Sequence, residues 1–321
     1  MRHRLSPLAM LALCLGGFCA PLYGQVSGGT ATGTLTVNGE AVTLKHAYAR
    51  KVSGATMPES SQFELRRPEE GETAAEGVLV VLTDRPLPVA DLTYVSSIEG
   101  ALKEGKVQGI SWVVDGQRQA ARQSLFHSAL GSQVPGSPDA FEVSRLDARV
   151  AGKAAADADF FDDAWTYEVT FDAPVGALPK PSMPPGSAAG TLTVDGKVYE
   201  LRHAYARTEP GAFDPKKRDV VVHLVDVAAP PATFEDRFGP RDLIKAGKLH
   251  GLSVTIDANG QVISGSFHLD GLEFASSTGW QELETVAFDG SSIEGRLYSN
   301  GAHEMMGHQL VLDIRFSVAP K

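Results

Sequence analysis

The sequence predicts an all-β protein: two tandem antiparallel modules, each a meander β-barrel or barrel-like sandwich with one short helix. Three observations carry that prediction. Residues 33–50, GTLTVNGEAVTLKHAYAR, return at 190–207 as GTLTVDGKVYELRHAYAR, identical at 12 of 18 positions with an offset of 157. A repeat of that length means two copies of one structural unit. Every asparagine precedes a glycine (Asn38, Asn259, Asn300), and Asp115, Asp195, Asp270 and Asp289 do the same. Such pairs supply the positive φ values of tight hairpins. The intervening segments alternate with period two: Leu312, Ile314, Phe316 and Val318 on one face, Asp313, Arg315 and Ser317 on the other.

Taken in chain order, residues 1–24 read as a secretory signal. Arg2 and Arg4 precede an apolar core from Leu8 to Phe18, too short to span a bilayer, and cleavage is expected after Gly24. Cys14 and Cys19 are preceded by Leu13 and Phe18, where a lipoprotein would carry a small residue, so lipidation is not expected. Both cysteines fall inside this segment. The mature chain would then have no disulfide, thiolate zinc site or cysteine nucleophile. Removing residues 1–24 moves the net charge from −10 to −12, a surface that repels nucleic acid and anionic lipid. A periplasmic or secreted location without stable membrane insertion follows.

The repeat continues past its first strands. VLVVLTD at 78–84 answers VVVHLVD at 220–226, LKEGKVQGISWVVD at 102–115 answers LIKAGKLHGLSVTID at 243–257, SLFH at 124–127 answers GSFH at 265–268, and YEVTFDAPV at 167–175 answers LDIRFSVAP at 312–320. The modules are therefore placed at 31–175 and 188–320, joined by a proline-rich spacer at 176–189. The acidic surfaces and this spacer predict modules that tumble independently. Each module has room for one short helix, near 97–104 and 240–246, with Pro240 suited to a first turn and Gly105 and Gly247 to an end. Seven or eight strands per module remain.

The strongest candidate site residues are polar positions repeated inside apolar strands: His46, Tyr48 and Asp84 in the first module, His203, Tyr205 and Asp226 in the second. Strict alternation puts Val42, Leu44, His46 and Tyr48 on one face, matched by Tyr199, Leu201, His203 and Tyr205. These residues either contact an interior ligand or form a structural polar core, the imidazole being satisfied by a backbone carbonyl or by Asp84 or Asp226. The structural reading is favoured, because one histidine per barrel orders a core without any ligand. Arg50 and Arg207 end the same strands and read as rim salt-bridge partners. His127 and His268 recur opposite Phe126 and Phe267, and are expected in solvent.

Other chemistry is harder to place. HEMMGH at 303–308 sets two histidines five apart, whereas a zincin helix needs four, and the flanking Asn300-Gly301 and Gly307 favour a turn. Asp157, Asp159, Asp162 and Asp163 cluster without EF-hand spacing and read as a solvated loop. There is no nucleophile elbow, phosphate-cradling loop or dinucleotide fingerprint. No carboxylate sits in an apolar strand where its pKa would rise. No metal or cofactor is implied.

The combination GTLTV-[ND]-G, L-[KR]-HAYAR and V-x-L-x-D resembles a scattered group of exported bacterial β-rich proteins without assigned activity; LTDRPLP at 82–88 fits that group's L-T-D-x-P-L segment, and LVDVAAP at 224–230 departs from it. The resemblance implies export and a β module, and carries over no catalytic residue. The expected function is non-catalytic: binding, or interaction with a protein or envelope component. The competing readings are a calycin-like carrier holding a small apolar ligand beside His46/Tyr48 and His203/Tyr205, and a hydrolase of envelope glycan or peptide.

Overall fold

The computed structural model describes residues 28–54, 73–87, 93–130, 134–160, 163–176, 183–236, 238–269, 272, 276–277, 279–288 and 291–320. The proposed signal segment, Asp162 and residues 177–182 of the spacer lie outside them.

Two separate antiparallel sheets account for most of the chain. The first contains β1 (Gly29–Val37), β2 (Glu40–Ser53), β3 (Glu76–Thr83), β4 (Gly109–Asp115), β5 (Ala120–Phe126), β6 (Val134–Gly136), β7 (Ala140–Leu146), β8 (Arg149–Phe160) and β9 (Asp163–Gly176), in the order β6-β5-β4-β3-β2-β1-β9-β8-β7. The second contains β10 (Ser187–Val194), β11 (Lys197–Pro210), β12 (Arg218–Val225), β13 (Gly251–Ile256), β14 (Val262–His268), β15 (Ser276–Ser277), β16 (Gln281–Phe288), β17 (Ile293–Ser299), β18 (His303–Met305) and β19 (His308–Val318), in the order β15-β14-β13-β12-β11-β10-β19-β17-β16, with β18 pairing β19. The short strands β6, β15 and β18 take the count above seven or eight, because two or three residues leave no periodic signal. In both sheets the opening strand sits between its hairpin partner and the module's last strand. The edges are thus consecutive in the chain, and the first sheet curls until Trp112 of β4 meets Phe141 of β7, ring centroids 5.7 Å apart.

The turn chemistry is as the sequence demands. Asn38 and Asp195 both have φ of 50°, followed by Gly39 at 83° and Gly196 at 80°. Helix α1 (Val95–Lys103) and helix α2 (Arg241–Lys245) connect β3 to β4 and β12 to β13, ending at Gly105 and Gly247, both left-handed. A 3-10 turn at Pro231–Phe234 precedes α2. Among the described residues, no helix is long and apolar enough to cross a membrane.

Each module has two apolar layers. The interior of the first curl is built from Leu35, Leu44, Val80, Ile110, Trp112 and Phe171, and of the second from Leu192, Leu201, Val222, Val254, Phe267 and Ile314. On the outer face, α1 packs Val95, Ile98 and Leu102 against Tyr48, Val81 and Phe126. The corresponding layer of the second module is thinner, with Val225, Phe234, Ile244 and Leu249 at its centre.

The two modules are docked, not independent. The first amides of α1 have no side-chain cap of their own and no acid in the first turn. Instead, Val95 N and Ser96 N donate to the two carboxylate oxygens of Glu284, on β16, at 2.7 and 3.0 Å, and Ser96 Oγ donates at 2.8 Å. Arg296 Nη1 on β17 adds bonds to Ser96 Oγ and Ser97 Oγ, while its other nitrogens chelate Asp313. A charged carboxylate at a helix N-terminus is favoured by the unpaired amides and the helix dipole. The expectation of independent tumbling fails because the missing cap of one module is a side chain of the other.

The glycine that opens the repeat has a definite task. In both modules the first ladder slips by one residue beside it: Gly33 faces Leu44 but Thr30 faces His46, and Gly190 faces Leu201 but Ser187 faces His203. Gly33 and Gly190 have φ of 145° and 151°, and a Cβ there would lie 2.2 Å from the carbonyl oxygen of Glu168 and 2.1 Å from that of Asp313. Replacing either glycine by alanine is expected to destabilise the protein by at least ~2 kcal/mol. Urea denaturation checks this; an unchanged midpoint would contradict the assigned bulge.

Candidate functional site

The ladder slip decides where the repeated polar residues point. Leu44 faces the interior, but after the slip Ala47 and Ala49 take over that face. Tyr48 consequently turns outward into the layer beneath α1, and His46 is left half-buried. The second module repeats the change: Leu201 and Ala204 lie inside, Tyr205 packs in the outer layer and His203 is half-buried. Strict alternation had put histidine and tyrosine on the Leu44 face. A bulge shifts a strand's phase by one residue, and that turns them over.

The tyrosines and aspartates then find the same partners in both copies. Tyr48 Oη accepts from Leu87 N at 3.1 Å, and Tyr205 Oη from Ala229 N at 3.0 Å. Asp84 Oδ1 accepts from Gln108 N at 2.9 Å, and Asp226 Oδ1 from His250 N at 2.8 Å. Each leucine or alanine lies three residues past the aspartate, and each amide of the second kind lies 24 residues past it. Together these bonds pin the start and end of the helical crossover to the sheet. The aspartates therefore serve the crossover rather than His46 or His203. Asp226 Oδ2 also takes His250 Nδ1 at 2.7 Å, whereas Asp84 Oδ2 pairs with Arg85.

The other sequence candidates are placed as follows. HEMMGH is a hairpin, with Met306 and Gly307 at its turn (φ of 52° and 83°). His303 stacks on Trp280, and His308 Nδ1 meets Asp195 Oδ2 at 2.6 Å. That bond, with one from Gln309 N, holds the Asp195 carboxyl below the usual range. Asp157 and Asp159 lie on the exposed side of β8 rather than in a loop. Asp163, the first residue of β9, accepts from Asn38 Nδ2.

His127 and His268 are both buried, contrary to the expectation of solvent. They are also not equivalent. Gly109 faces Phe126 in the first module, and Gly251 faces His268 in the second. His268 therefore occupies the place of Phe126, one residue off the alignment of SLFH with GSFH. Its neighbour His223 likewise occupies the place of Val81. His223 Nδ1 and His268 Nε2 lie 3.3 Å apart, and the rings stack. His223 Nε2 and His268 Nδ1 are buried with no hydrogen-bond partner. Burial, then the neighbouring His268 and Arg207, push His223 down to about 3; burial pushes His268 down to about 4. Both are neutral imidazoles standing where the first module has hydrocarbon.

The repeated strands also part company at their far ends. In the first module β2 and β9 pair directly beyond the start of β1, Ala49 with Val175 and Arg50 with Gly176. Arg50 is buried there and donates to the carbonyl of Thr93. In the second module β11 and β19 have no such pairing, and a groove of about 560 Å³ lies along the seam. Its walls include Pro185, Tyr205, Arg207, Pro231, Phe234 and Val318. Tyr205 and Phe234 stack at 4.4 Å, and Phe234 in turn lies 4.9 Å from the ring of His223. Arg207 Nη1 is paired with Glu209 at 2.6 Å.

No family model, curated protein or solved structure matches the chain.

Sequence reasoning missed two features. Glu284 and Glu294 are almost wholly buried in apolar strands, although no such carboxylate was expected. Glu284 looks like an outward residue between Leu283 and Thr285, and only the arrival of α1 covers it. The seam groove left no sign in either motif, since Ala206-Arg207 repeats Ala49-Arg50 letter for letter.

Proposed function

We propose that this is an exported, non-catalytic protein, periplasmic or secreted, whose two docked β modules act by binding. The observation that supports this most directly is the use made of the repeated polar residues. Tyr48, Tyr205, Asp84 and Asp226 are all engaged with backbone amides of the crossover. What duplication preserved is a scaffold, not a reactive constellation. The buried Glu284 is engaged by α1, so it is not a free acid for glycan hydrolysis. A carrier with its ligand inside the first curl is disfavoured too: Trp112, Phe141, Tyr167 and Phe171 pack against one another there.

The test is native mass spectrometry of the full chain purified from its own host, alongside a screen of envelope glycans and peptides. A retained non-covalent partner with no turnover is the expected result. Sustained hydrolysis of any of these substrates by homogeneous protein would overturn the reading.

A further inference from the structure

The seam groove of the second module is a large concavity that the fold does not use. It falls in the size range of small-molecule sites, and the comparison between the modules shows how it forms. Where β2 and β9 zip together in the first module, the matching stretch of β11 stands apart from β19. The outer layer that covers Tyr48 in the first module is a nine-residue helix. Its counterpart α2 has five residues, and the 3-10 turn supplies Phe234 instead.

The lining selects the ligand. Tyr205 and Phe234 offer stacked aromatic carbon, and Pro185, Pro231 and Val318 add aliphatic surface. The Tyr205 hydroxyl is anchored to Ala229 N, which fixes the ring in place. The charged groups do not favour an ion. The Arg207 charge is offset by Glu209, its buried Nε being left without a hydrogen-bond partner, and Glu235 in the lining adds a further negative charge. An anion would meet no uncompensated cation, and an ammonium would lose its hydration against mainly apolar walls. A flat ring-bearing molecule gains from burial and from aromatic contact at once. We infer that the groove binds a small, uncharged, mainly apolar molecule bearing an aromatic or other flat ring. The inference rests on the binding reading above and adds to it a place and a ligand class.

The experiment is a fluorescence titration of the full chain with the neutral aromatic probe N-phenyl-1-naphthylamine. Its sulfonated analogue 1-anilinonaphthalene-8-sulfonate and a methyl glycoside are titrated in parallel. The blocking variant is Ala319→Trp. Ala319 is exposed on the groove wall, so the indole fills the groove without entering the core. One saturable site for the neutral probe is expected, weakened about tenfold or more in Ala319→Trp, with an unchanged melting profile. Binding unaffected by Ala319→Trp would overturn the location. Tighter binding of the sulfonate or the glycoside would overturn the ligand class. No saturable binding at all would overturn the inference. A ligand retained in native mass spectrometry despite any of these results would leave the binding reading standing.

Discussion

Replacing Glu284 by alanine is expected to separate the two modules. The carboxylate is buried, and it receives the first two amides of α1 and one serine hydroxyl. Without it, those donors lose their acceptor in a site that water cannot readily enter, and Arg296 loses a nearby negative charge. Orphaning buried donors of a charge-assisted cluster costs about 3–5 kcal/mol. α1 holds the first module's outer layer by Val95, Ile98 and Leu102, so it stays on that module when the interface opens. Small-angle scattering should therefore show a larger radius of gyration, and urea denaturation should split into two transitions. Glu284→Gln keeps one acceptor oxygen and should fall between the two. If Glu284→Ala leaves a compact particle with a single transition, the docked interface is held by something other than this cap.

How much of this was legible in the sequence follows from the range of each interaction. Turns are encoded by adjacent residues, and Asn38-Gly39 and Asp195-Gly196 adopt the left-handed geometry their letters imply. The alternation of Leu312, Ile314, Phe316 and Val318 reached the structure intact, all four lying in the interior; Ser317 is buried as well, against expectation. Phase was harder. The slip beside Gly33 and Gly190 depends on which residues face each other across two strands, so reading one strand alone put Tyr48 and Tyr205 on the wrong side. The same blindness to ladder register paired His127 with His268. The interface was beyond reach for a different reason: Val95 and Glu284 are 189 residues apart, and neither module's pattern announces that a helix lacks its cap.

The second large effect concerns acid. His223 and His268 are neutral in the folded protein, with values near 3 and 4 against an ordinary value of about 6.5 when unfolded. Both folded values lie below the unfolded one, so protons favour the unfolded chain. No penalty exists above about pH 6.5, and it grows as pH falls from there towards 4. At about pH 4.5, two units below the unfolded value, each residue opposes folding by ~2–3 kcal/mol. The pair together approaches the whole net stability of many domains. The first module shows the remedy, since Val81 and Phe126 occupy these places beneath α1. The double variant His223→Val/His268→Phe should therefore lower the pH midpoint of acid unfolding by about one unit or more. It should also cost nothing at pH 7.5, because it removes the two unpartnered nitrogens, His223 Nε2 and His268 Nδ1. Circular dichroism followed from pH 7.5 to 3 decides the matter. An acid midpoint that does not move would mean that other groups govern acid unfolding. Because the folded-state values lie near 3 and 4, the pair stays neutral until the module unfolds, although Phe234 links the His223 ring to Tyr205 in the groove wall. Acid should consequently abolish probe binding together with the fold, and the double variant should carry binding to lower pH by the same shift.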